Sequence, residues 1–161
     1  MLKKLKLFFC IKCICISNLN TISKVLERLV LARIIPHVSA SPSFDVAQSA
    51  YRRRHSTETA LLKITDDIYA GFSGHQSTIL VALDQSAAFD CIDHSTLIHR
   101  LDRTFGVTGK ALDWMRSYLR DRSTFVRWKH NSSSVFPLDT GVPQGSVLGP
   151  LLFTLYRCSA A

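Results

Sequence analysis

The chain has 161 residues, about one domain's worth, with 47% hydrophobic and 20% charged side chains, a globular composition that excludes wholesale disorder. Seven glycines and five prolines exclude a collagen-like or low-complexity polymer. The net charge of +8 favours a polyanionic partner, but it is uneven: residues 1–36 hold seven Lys/Arg and one Glu, and the rest of the chain thirteen and eleven.

Residues 1–16, MLKKLKLFFCIKCICI, join a basic start to an apolar run and so imitate an export signal. Lys12 interrupts the run, no small-x-small cleavage site follows cleanly, and the stretch falls short of the roughly 20 residues a spanning helix needs. Of five cysteines, Cys10, Cys13 and Cys15 crowd together, while Cys91 and Cys158 stand apart. Cys10-x-x-Cys13 lacks the second pair a tetrahedral zinc site requires. Reduced thiols in an intracellular protein of the nucleus or cytoplasm, with no membrane partner, are the expectation.

Residues 21–36 read as an amphipathic helix with Val25, Leu26, Leu29, Val30 and Ile34 on its apolar face, ended by Pro36. Residues 37–50 read as a loop. Ser56 is placed to cap a second helix, closed by Gly71 and Gly74. Ser77 to Asp84, STILVALD, is a short, continuously apolar, β-branched run and predicts a buried strand. His94–Phe105 and Gly109–Leu119 read as helices separated by Gly106. TFVRWKH and SVFPL read as paired strands joined through Asn131 and Ser132. Ser146 to Tyr156 reads as a closing helix. Non-alternating helices and strands predict an α+β fold.

Asp84 ends the apolar run, where a carboxylate either caps the next turn or holds a hard cation through oxygen. Asp84, Asp90, Asp93 and His94 form an acid-rich patch whose spacing defines no ligand set by itself. His94 and His99 stand five apart with Ser95 where a metallopeptidase carries Glu, which argues against that chemistry. No Gly-x-Ser-x-Gly elbow occurs. Thr140 to Pro150, TGVPQGSVLGP, is a side-chain-poor loop leading into a helix. It either forms a structural turn or brings backbone close to a flat ligand or phosphate, with Gln144 as donor and acceptor.

Together these segments resemble the reverse transcriptases of non-LTR retrotransposons. VALDQSAAFDCIDH resembles their motif A and GVPQGSVLGPLLF their motif B. Gln48 to Leu61 resembles a fingers segment, and SNLNTISKVLERL the segment just before it. The resemblance covers about residues 17–156, leaving 1–16 as a leader and 157–161 as a divergent tail. It implies a partial right-hand polymerase, fingers plus part of the palm, with the thumb absent. By resemblance Asp84 binds catalytic Mg²⁺, helped by the Gln85 carbonyl. Phe89 packs beneath the incoming sugar, and Gln144 with Gly145 lies beside the incoming nucleotide. Arg52, with Arg53 beside it, contacts nucleic-acid phosphate. The implied partners are an RNA template, a DNA primer and a dNTP; no protein partner is implied.

The departures from the family bear on activity. No Phe/Tyr-x-Asp-Asp of motif C follows motif B in these residues. Ile14 falls where relatives carry a triphosphate-gripping Arg, Ala50 and Arg54 replace glycines, and Tyr51 replaces Phe. The expectation is a reverse transcriptase fragment that is inactive as this chain. The alternatives are a non-catalytic basic remnant that binds nucleic acid, with Arg52–Arg54 sharing a face with Arg116, Arg120, Arg122 and Arg127, and a small secreted protein launched by residues 1–16.

Overall fold

The computed structural model describes residues 19–74, 77–85, 87–125 and 127–158; the expected leader, with its cysteines and Ile14, lies outside them. Among the described residues, five helices and one short hairpin make a mixed α+β arrangement. Helix α1 runs Thr21–Ser39, α2 Thr57–Ser73, α3 His94–Arg103, α4 Gly109–Leu119 and α5 Gly149–Arg157. Four of the starts have a local cause, while α4 follows Thr108 with no side-chain cap. The Asn20 carboxamide accepts from the Ser23 N–H, and Ser56 and Thr59 form a reciprocal capping box at α2. Asp93 accepts from the Thr96 N–H at α3, and Pro150 occupies the first turn of α5.

The core lies where α3 packs between α4 and α5. Leu97 and Leu101 of α3, Met115 of α4, and Leu152 and Leu155 of α5 are fully buried, with Ile92 and Leu148 from the preceding loops. Arg100 of α3 closes the far end of α5, its guanidinium donating to the Tyr156 and Cys158 carbonyls. Ile34 and Val38 bring α1 onto this core, and His37 bonds the Phe105 carbonyl. Helix α2 buries none of its residues within the described structure. No described helix is long and apolar enough to cross a membrane.

Helix α1 differs from its sequence reading in two ways. It continues past Pro36 to Ser39; Pro36 and Ala32 sit on the exposed side, where water can serve the carbonyl that proline leaves without a donor. Its buried stripe is Glu27, Val30, Leu31, Ile34 and Val38, while Val25, Leu26 and Leu29 face outward. The helix is rotated from the simple hydrophobic expectation because the Glu27 carboxylate is drawn inside.

The hairpin carries β1 Ser123–Thr124 paired antiparallel with β4 Phe136–Pro137, and β2 Arg127–Trp128 paired with β3 Asn131–Ser132. The register steps by one residue between the two ladders, the mark of a bulge. Asn131 and Ser132 are strand residues, and the turn is instead Lys129-His130, with Lys129 at φ 56°. A two-residue hairpin turn demands that left-handed conformation.

The expected strand at Ser77–Asp84 is not formed. Residues 77–85 take no regular structure, and Ile79 and Leu83 are 85% and 91% exposed. A strand is held by neighbours that take up its N–H and C=O groups. Among the described residues, the hairpin alone forms strand ladders.

Candidate functional site

Motifs A and B meet as two loops zipped side by side. A tight turn over Ala87–Cys91, with Ala87 at φ 54°, returns the chain after Asp84. From it the Phe89 carbonyl accepts from the Val142 N–H at 2.9 Å, and the Ile92 carbonyl from the Gly141 N–H at 2.7 Å. The Asp139 carbonyl accepts from the His94 N–H, and the half-buried His94 ring pairs with the Gly141 carbonyl at 2.7 Å. Gly141 makes this approach possible. At its φ of +86°, a Cβ would stand 3.3 Å from the Asp90 Cα and 3.4 Å from the Asp90 and Phe89 oxygens.

The zip places the expected residues unequally. Gln144, half-buried on the motif B loop, donates to both carboxylate oxygens of Asp90 at 3.3 and 3.4 Å. Gly145 follows it, exposed, at φ 92°. Phe89 is half-buried, its ring centroid 5.4 Å from that of Phe153 on α5. Asp84 and Gln85 lie at the exposed end of the irregular 77–85 segment, and Gln85 Oε1 accepts from Arg157 at 2.6 Å. Arg52 turns into its own loop: it donates to the Val46 carbonyl at 2.9 Å and stacks on the Phe44 ring. Arg53 is exposed.

Asp84 and the Gln85 carbonyl are hard oxygen donors of the type Mg²⁺ takes. Two donors do not complete a site. Among the described residues no group of three His, Cys, Asp or Glu side chains gathers where a metal could be held. The chain's single Asp-Asp pair, Asp66-Asp67, sits on exposed α2 upstream of motif A, with Asp67 paired to Lys63.

Asp93 serves structure. Hydrogen bonds from the Ser95 hydroxyl, foremost, and from Thr96 hold its carboxyl down to about 2. A depressed folded-state value means this support is complete above the ordinary carboxylate range and fades as pH falls through about 4 toward 2. Melting followed by circular dichroism is therefore expected to show stability falling across that window, with a flatter profile in Asp93→Asn. Identical profiles would refute the assignment.

Two residues that the sequence reading did not single out for these roles bind the site together. Glu27 of α1 is buried, and its Oε2 accepts from the Val147 N–H at 2.6 Å and the Leu148 N–H at 3.1 Å, at the entry to α5. Ser146 adds the next acceptor, taking the Gly149 N–H at 2.9 Å. Thus α1 is fastened directly to the end of motif B, with the Tyr118 hydroxyl beside the junction. Burial, reinforced by the Glu27 charge, pushes that hydroxyl up to about 12. Arg122 is the second. It lines a cleft of about 560 Å³ between motif B and the hairpin, together with Asp90, Leu138, Thr140, Pro143 and Gln144.

Comparison with known proteins identifies the family. Residues 12–158 match the model of the family described as reverse transcriptase (RNA-dependent DNA polymerase). The chain is 35% identical over 141 residues to the probable RNA-directed DNA polymerase from transposon X-element of Drosophila melanogaster. It is 33% identical over 141 residues to the one from transposon BS and 29% over 140 to that of mobile element jockey, both of the same fly. These alignments cover 87–88% of this chain, which spans about 15% of the length of each relative. With the motif A and motif B loops joined as described and nearly the whole chain matched, this protein belongs to the reverse transcriptase family, as a fragment of the non-LTR retrotransposon kind.

Proposed function

We propose that this chain supplies the fingers and part of the palm of an RNA-directed DNA polymerase, and that it carries only part of the nucleotidyl-transfer site. The zip between the two loops supports this most directly, because it fixes Gln144 against Asp90 at the mouth of the cleft. In this reading Asp84 and the Gln85 carbonyl are donors toward Mg²⁺, Phe89, Gln144 and Gly145 face the incoming dNTP, and Arg53 meets the phosphates of the RNA template or DNA primer. Arg52 contributes by holding the loop that presents Arg53. Such a chain works where its RNA is, in the nucleus or cytoplasm.

Transfer of a nucleotidyl group depends on positioning and charge neutralisation by two metal ions held between carboxylates and phosphates. Asp84 and one carbonyl do not hold two ions. The purified chain, given a primed RNA template, dNTPs and magnesium, is therefore expected to extend the primer no further than buffer does. Template-dependent extension that Asp84→Glu abolishes would overturn the inactive reading.

A further inference from the structure

We infer that Arg122 is a preset phosphate anchor, and that the cleft beneath it seats one nucleotide of a single-stranded RNA. The inference rests on the nucleic-acid reading above and assigns that reading a place. Arg122 is half-buried and held on three sides. Its Nε donates to the Tyr118 carbonyl at 2.8 Å, its guanidinium lies over the Tyr118 ring at 4.7 Å, and its own carbonyl accepts from the Leu138 N–H. These restraints engage Nε and the planar face but leave the two Nη groups without an acceptor among the described residues. A guanidinium fixed in this way binds a phosphate with little further loss of side-chain freedom. Its neighbours in the basic-surface reading differ, since Arg116 and Arg120 are exposed and paired with Asp113 and Asp121.

The rest of the cleft suits what a phosphate brings with it. Ser123, Thr124 and Thr140 add hydroxyls to the cleft lining, while Leu138, Val142 and Pro143 make an apolar wall against which a base or ribose can lie. Asp90 lines the same cleft, tied to Gln144 on motif B, and its charge repels phosphate there. The strand is thus oriented, its phosphate at Arg122 and its base toward motif B. Double-stranded ligand is disfavoured, because a wall contact needs an unstacked base.

The test uses the full chain and a fluorescein-labelled uridine oligomer of about 12 nucleotides, followed by anisotropy across a salt series. Arg122→Gln is expected to weaken binding about tenfold at low salt and to reduce the log–log salt slope by ~0.7, one phosphate's worth for a single strand. Because Arg122 also packs on Tyr118, a second variant leaves that packing alone: Thr124→Glu puts a carboxylate into the cleft from an exposed strand position and is expected to cost a similar factor. Arg116→Gln, on the outer face of α4, should leave affinity and slope unchanged. The inference stands only if both cleft variants lose affinity and the α4 variant does not. Wild-type binding that either cleft variant leaves intact overturns this assignment alone. No binding by the wild-type chain overturns it together with the nucleic-acid reading.

Discussion

Replacing Glu27 with alanine is expected to cost about 3 kcal/mol of folding stability. The side chain satisfies two backbone donors, those of Val147 and Leu148, at a point where Leu148 is fully buried and the next helix begins. Leaving a buried donor unpaired costs about 1–3 kcal/mol, and the carboxylate also loses a favourable place at the positive end of α5. In a domain of this size each kcal/mol moves the melting temperature by roughly 2–4 °C, so a fall near 10 °C is expected. Glu27→Gln keeps one acceptor oxygen and should fall between alanine and wild type. Calorimetry or thermal circular dichroism measures both. An alanine variant that melts with the wild type would show that the α1–α5 junction is held by its apolar neighbours alone.

Gly141→Val should be about as damaging, with its effect concentrated at the motif A–motif B seam. A β-branched residue is strained at φ +86°, at roughly 1–3 kcal/mol, and its Cβ would press on backbone atoms of Phe89 and Asp90 that have no rotamer to escape into. The expected result is loss of hydrogen-exchange protection at the amides of residues 141 and 142, and lower thermal stability. Gly109 separates strain from crowding, since it too has positive φ, at +59°, but nothing lies within 4 Å of an added Cβ. Gly109→Ala should therefore show a smaller loss and leave the seam protected. Full protection of residues 141 and 142 in Gly141→Val would remove the glycine from this account.

Much of this could be read along the chain where the cause is local. Ser56 with Thr59 signals the start of α2, and Gly109 to Leu119 is helical as its spacing implies. The glycines and Gln144 of motif B mark a loop entering a helix, and that loop lies against motif A. The misreadings come where distant partners decide. Glu27 finds its donors 120 and 121 residues away, so the most apolar stripe of α1 is not the one it buries. One signal was available: Glu27 stands at helical spacing from Val30, Leu31, Ile34 and Val38. For Arg122 half of the cause is local, since the Tyr118 ring and carbonyl that hold it lie four residues back, and half is distant, since the Leu138 N–H that fixes its own carbonyl lies sixteen residues on.

The segment leading to Asp84 also bears on how this protein must be handled. From Thr78 to Leu83 it is β-branched or apolar, without proline or charge, and turned to water, which is the composition of segments that stack into fibrils. Upstream, no Asp, Glu, Lys or Arg occurs between Ile68 and Leu83, and downstream the next charge after Asp84 is Asp90. Asp84 is thus a gatekeeper against aggregation as well as a candidate metal ligand. A neutral residue there would extend the uncharged stretch from Ile68 to Phe89, so insolubility and the loss of a candidate metal donor would arrive together. Glutamate separates the two, keeping the charge that guards solubility while moving the oxygens away from where a metal would need them.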